Sequence, residues 1–173
     1  KFRAVMGYDI AQHLPVLWFG RENQPFCKEA YDLVEVMQQM FLENYAIPCH
    51  DWCVENKLIL TGHVLHEDNL CAQATMCGSV MRFMEYMDYP GMDNLTATSY
   101  CYNVPALISS AAKQLGKEFA LDELYGITGW EMRLADYKHV GDWQSAGGVT
   151  LRCPHISWYT MKGEGKRDCP ASI

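Results

Sequence analysis

Four short apolar runs, each separated from the next by a stretch with helical periodicity, constrain this chain more than any other feature. The runs are LILTG at 58–62, MDNLT at 92–96, FALDE at 119–123 and VTLRC at 149–153. LILTG is continuous and apolar, the pattern of a strand covered on both faces. The runs recur at close to the roughly 31 residues per unit implied by about 250 residues over eight strand–helix units. A helix in every connection makes successive strands parallel, joined by right-handed crossovers.

The intervening segments carry the helical signals. The first spans about 27–56, where Ala30, Leu33, Val34, Met37, Phe41 and Tyr45 recur on one face, and Pro48 breaks or bends it. Asp68 or Asn69 caps the next, whose apolar stripe is Leu70, Ala74, Cys77, Met81, Met84 and Met87. Pro90-Gly91 closes that unit. A third helix is predicted at 103–115, with Asn103 near the cap, Pro105 in the first turn and Gly116 at the stop. A weaker fourth is predicted at about 134–143.

The expected architecture is therefore α/β: the C-terminal part of a TIM (β/α)8 barrel, with residues 1–173 forming a partial catalytic domain that lacks the N-terminal strands. Four strands cannot close an eight-stranded barrel, so the open sheet edge calls for a partner. That partner is the remaining barrel and accessory domains of a longer protein, or a second copy. A doubly wound open sheet is the competing fold, but no glycine-rich phosphate loop follows any of the strands.

Charge and composition remove several classes of partner. The formal charge is −7 with no Lys/Arg stripe, which argues against nucleic acid. No apolar run approaches bilayer length, and no signal-peptide pattern follows Lys1. Most of the 8 cysteines lie among Met, Phe and Leu, where Cys acts as a small hydrophobe. Free thiols in a reducing compartment are expected, hence a cytoplasmic rather than a secreted location; disulfides are the alternative. The Cys49/Cys53 pair has no second Cys/His pair at zinc-finger spacing.

Two glutamates stand where strands should end. Glu67 lies in GHVLHED at 62–68, just past the first strand, and Glu123 in DELYGITGW at 122–130, at the end of the third. On a barrel both reach the C-terminal rim, where loops from different strands surround one pocket. A glycosidic bond is cleaved by one carboxylic acid that protonates the leaving oxygen and a second carboxylate that acts as nucleophile or base. Asp93, after Pro-Gly, is the third candidate, with an Asx turn as its structural alternative. Asp122 should point away from Glu123, because neighbours alternate along a strand.

His63 and His66 are expected to bind substrate hydroxyls or orient a carboxylate. HVLHE has neither the HExxH nor the HxxEH order, so no metal and no cofactor are expected, although a metal hydrolase centred on His63, His66 and Glu67 is a third reading. Trp130, His155 and Trp158 are candidate sugar-stacking or hydroxyl-reading residues, against ordinary packing of the barrel ends. Tyr8 and Asp9, in MGYDI, are expected to reach the same rim.

The chain resembles the barrel domain of large bacterial glycoside hydrolases, α-L-rhamnosidase-like or related and uncharacterised. The resemblance rests on GYDIAQHLPVL at 7–17, TGHVLHEDNL at 61–70, YPGMDNL at 89–95, SSAAKQLG at 109–116, LDELYGITGW at 121–130 and GGVTLRCPHISWYTM at 147–161. It implies that Glu123 is one catalytic carboxylate and that Trp130 shapes the sugar site. It leaves the partner carboxylate to Glu67, the Asp93 region or an earlier strand preceding Lys1. A carbohydrate substrate follows. The alternative is a non-catalytic carbohydrate-binding or structural fragment.

Overall fold

The computed structural model describes residues 1–95, 101–129, 131–155, 160 and 162. Its helices and strands run in the order α1 (Phe2–Met6), a 3-10 turn (Ile10–His13), α2 (Leu14–Phe19), α3 (Lys28–Phe41), a π turn (Leu42–Ala46), α4 (Ile47–Glu55), β1 (Thr61–Gly62), α5 (Leu70–Met76), α6 (Val80–Met84), β2 (Tyr89–Asp93), α7 (Asn103–Leu115), β3 (Leu121–Leu124), α8 (Leu134–Ala146) and β4 (Leu151–Pro154). The four strands form one sheet in the order β1-β2-β3-β4, and every pairing is parallel. This is a parallel β/α fold of alternating strands and helices. Among the described residues, β1 and β4 are its edges.

The predicted runs fall on the strands, with shifted boundaries. The ladder at the first run narrows to Thr61–Gly62, and Ile59 is 59% exposed, so this edge strand is not covered on both faces. Leu60 still ties into the sheet: its N–H donates to Asp88 Oδ2 at 2.7 Å, and its carbonyl accepts from the Asp88 N–H at 2.8 Å. Pro90-Gly91 lies inside β2 rather than ending the preceding unit. The reason is a close approach of backbones. A Cβ on Gly91 would fall within contact distance of the Gly62 carbonyl oxygen, so glycine lets β1 reach β2.

The long N-terminal helix is continuous through Pro48. Its π turn precedes α4, and Pro48 occupies the first turn of α4, where a missing N–H is tolerated. The apolar stripe faces the core only at its C-terminal end, where Phe41 packs against the core and both Phe41 and Tyr45 lie against Phe83. Glu29, Asp32, Val36 and Gln38 are the buried residues of α3, while Met37 is exposed. Burial of the two acids is supported by ion pairs, from Arg21 to Glu29 and from Lys28 to Asp32. The Leu70–Met87 stripe is also divided, because Gly78 adopts φ 79 between α5 and α6. Asn69 caps α5 as expected, its Oδ1 accepting from the Ala72 N–H at 2.8 Å. Helix α7 matches its predicted bounds and stops at Gly116.

The main core lies between the sheet and α6 and α7. Met84, Met87, Met92 and Ile108 are fully enclosed there with Val80, Phe83, Val104 and Ala111. Each such large side chain contributes roughly 1.5–3 kcal/mol through removal from water. A smaller cluster of Leu124, Tyr125 and Val140 packs under α8. Among the described cysteines, all are free, as the sequence led us to expect.

Candidate functional site

The parallel register brings the ends of the four strands to one side. Gly62 precedes His63, Asp93 pairs with Glu123, and Glu123 pairs with Cys153, two residues before His155. Residues from four separate strand ends thus meet at one edge of the parallel sheet.

His63 is the hub. Its Nδ1–H donates to the Val64 carbonyl at 2.8 Å, which turns Nε2 toward the carboxylates. Nε2 lies 3.3 Å from Glu123 Oε2 and 3.6 Å from Asp93 Oδ2. His155 Nε2 approaches the other oxygen of Glu123, at 3.9 Å. Gly126 seats that imidazole, since a Cβ there would collide with the His155 ring. Glu123 is therefore flanked by two histidines.

Glu67 approaches His63 from the other side, with Oε1 3.7 Å from Nδ1. It is buried, and burial, with the charge of Asp93 as a smaller cause, raises its carboxyl above the ordinary range. His66, one residue earlier, is exposed and holds φ 60, an uncommon conformation for a residue with a side chain. The loop after β1 thus directs Glu67 inward and leaves His66 at the surface.

Asp122 does point away from Glu123. It is fully buried, its Oδ1 accepts from the Asn94 N–H at 3.0 Å, and burial is the main cause that pushes its carboxyl up to about 9. Gln144 Nε2 of α8 donates to the Asn94 carbonyl at 2.9 Å. The backbone immediately after Asp93 is therefore clamped at both polar groups by buried side chains. This fixes where β2 leaves the sheet and hence where Asp93 stands. Asn94 and Gln144 were not singled out from sequence, where only the adjacency of Asn94 to Asp93 in YPGMDNL pointed toward them; Gly126 is one of the glycines after Glu123 that the resemblance assigns to shaping the sugar site.

The remaining candidates divide. Tyr8 donates to Asp32 Oδ2 at 2.9 Å and packs edge-on against Phe2 and His13; burial, with help from Asp32, pushes its hydroxyl up to about 12. Asp9 caps the 3-10 turn by accepting from the Ala11 N–H at 3.0 Å. These contacts account for both residues within the N-terminal helices, and none of them is with a rim residue. Trp130 and Trp158 lie outside the described residues.

Chemically, the rim offers two carboxylates that share one imidazole, with a third carboxylate nearby. His63, Asp93 and Glu123 also present one ligand atom each, all within 4.8 Å of one another. One nitrogen and two carboxylate oxygens can hold a divalent cation, and the bond from Nδ1–H to a backbone carbonyl is a common outer-shell arrangement for a metal-binding histidine. The HVLHE stretch supplies only His63 to this set; the other donors come from β2 and β3. Among the described residues, no helix is long and apolar enough to cross a membrane. No known protein family, curated protein or solved structure matches the chain.

Proposed function

We propose that this chain carries the catalytic rim of a glycoside hydrolase, of the α-L-rhamnosidase-like type that its sequence resembles. Asp93 and Glu123 would act as the paired carboxylates. The observation that carries the reading is their convergence: both oppose His63 Nε2, within 3.6 Å, from the ends of adjacent parallel strands. Such a pair can divide the work of protonating a leaving oxygen and attacking, or activating water, at the anomeric carbon. His63 and His155 orient Glu123 and supply hydrogen bonds to a sugar. A barrel completed by further chain, or by a second copy pairing along an open edge, would enclose the substrate. The free thiols suit a reducing, cytoplasmic setting.

The test is Glu123→Gln in the intact protein, assayed with a panel of aryl glycosides. Loss of turnover with an unchanged unfolding temperature is the expected result. Sugar binding with no hydrolysis by the unaltered protein would instead identify a non-catalytic carbohydrate-binding chain.

The convergence of His63, Asp93 and Glu123 favours one second reading, a divalent cation held at the rim that acts on substrate hydroxyls or on water. Elemental analysis of the purified protein, before and after chelation, decides between a metal-dependent and a metal-independent rim.

A further inference from the structure

Helix α2 is built from LPVLWF and has no buried residue; Trp18 and Phe19 stand 81% and 86% exposed. Leu17 and Trp18 of α2, with Ala30, Leu33 and Val34 of α3, line an open apolar depression of about 450 Å3. A second depression of about 240 Å3 begins at the same Val34 and continues past Met37 and Phe41 to Ala74 and Met76 of α5. Together they make one groove along α3 from Ala30 to Phe41, about 17 Å long at the 1.5 Å rise of each helical residue. Its stretch from Ala30 to Met37 is the part of the α3 stripe that the core leaves uncovered.

The exposed area reaches the scale of an interface. Aromatic side chains offer roughly 150–250 Å2 each, so Trp18 and Phe19, with Phe26 and Tyr31 in ring contact at the start of α3, leave about 400–700 Å2 in water. The largest apolar patch of an ordinary monomer is roughly 300–600 Å2, and a stable dimer buries roughly 800 Å2 per copy. The groove walls supply the remainder. Charge does not oppose association at this face, although the chain carries −7. Helix α2 has no charged residue, and every charged residue of α3 is paired within the chain: Lys28 with Asp32, Glu29 with Arg21 and Glu35 with Arg82.

A two-fold contact requires one patch to be its own complement. This face has both halves: Trp18 and Phe19 form a ridge, and the groove beside them has room for a ring, since roughly 150 Å3 is enough to hold benzene. We infer that α2 and α3 form a dimer interface with a second copy of this chain, in which the Trp18 of each copy enters the groove of the other at Ala30, Leu33 and Val34. The interface is separate from the open sheet edges and from the rim, and it does not depend on the proposed hydrolase.

Sedimentation velocity of the intact protein over a wide range of concentration tests the interface. A reversible monomer–dimer equilibrium is expected. Trp18→Ala should raise the dimer Kd at least about thirtyfold, the scale of a central aromatic anchor. Ala30→Gln, which fills the groove without adding charge, should weaken the dimer as well, and far-UV circular dichroism checks that the helices persist. Two substitutions at exposed apolar residues elsewhere, Leu134→Ala on α8 and Ile59→Lys beside β1, should leave the Kd unchanged. A monomer at every concentration would overturn the interface and leave the groove to a different partner. A dimer kept in Trp18→Ala but lost in Ile59→Lys would overturn it in favour of pairing along the sheet edge. Assemblies that grow past the dimer would also overturn it, because a two-fold contact closes on itself. None of these substitutions is at the rim, so the outcome stands apart from whether the protein hydrolyses a glycoside.

Discussion

Replacing Gly91 with Ala tests the geometry on which the rim depends. The added Cβ would meet the Gly62 carbonyl oxygen, a main-chain atom that no side-chain rotation can move aside. Relief requires β1 and β2 to separate by roughly 1 Å, at a cost of about 1–3 kcal/mol, as for other overpacked positions. Strand β1 is two residues long and pairs only with β2 among the described residues, so it is the element that gives way. His63 follows Gly62 directly, and its 3.3 Å and 3.6 Å approaches to Glu123 and Asp93 would lengthen past the roughly 4 Å reach of an ion pair. Thermal unfolding should fall by roughly 2–4 °C per kcal/mol for a chain of this size. Any turnover at the rim should fall on the order of a hundredfold, the usual scale for a 1 Å misplacement of catalytic groups. Differential scanning calorimetry and initial rates on one glycoside measure the two effects. Wild-type unfolding temperature and wild-type rate together would refute the close approach of the strands.

Three further outcomes follow from the same geometry. Because the folded-state pKa of Asp122 is raised to about 9, the folded protein holds this proton more tightly than the unfolded chain does. The stability that it contributes is complete below the ordinary carboxylate range and is lost progressively as pH rises toward 9. Asp122→Asn, which keeps an oxygen to accept from the Asn94 N–H, should therefore gain in urea midpoint over wild type between pH 5 and pH 8; parallel midpoints across that range would contradict a protonated Asp122. One oxygen of Asp93 and one of Glu123 lie within 4.8 Å of each other, an upper limit below the roughly 6.5–9.5 Å of an inverting pair. NMR of the first-formed product should show retention, and inversion would move the partner carboxylate away from Asp93. Cys71 and Cys153 are exposed, whereas burial pushes the Cys77 thiol up, so a disulfide-exchange reagent followed by peptide mapping should label Cys77 last.

Sequence periodicity located the strand and helix units, and end signals such as Asn69 and Gly116 fixed individual helix boundaries, because those signals act within a few residues of themselves. It misjudged features whose cause lies elsewhere in the chain. The apolar stripe of α3 reaches the core only at Phe41, while Glu29 and Asp32 are enclosed with Val36 and Gln38, the two acids paired with Arg21 and Lys28. Pro90-Gly91 reads locally as a stop, and only the approach of Gly62 reveals it as the middle of a strand.

The candidate site divides along the same line. Strand-end placement singled out Glu67, Asp93, Glu123, His63 and His155 one at a time, because alternation and strand length are local properties of a sequence. That His63 faces Asp93 and Glu123 rather than pairing with His66 was decided by the parallel register of β1, β2 and β3, a relation between segments some thirty residues apart. The clamp on Asn94 likewise depends on Asp122 and Gln144 arriving from two other elements. By itself, the sequence determined which residues could stand at strand ends. Tertiary structure decided which of them meet, because the meeting depends on strand pairing and helix packing that no local pattern encodes.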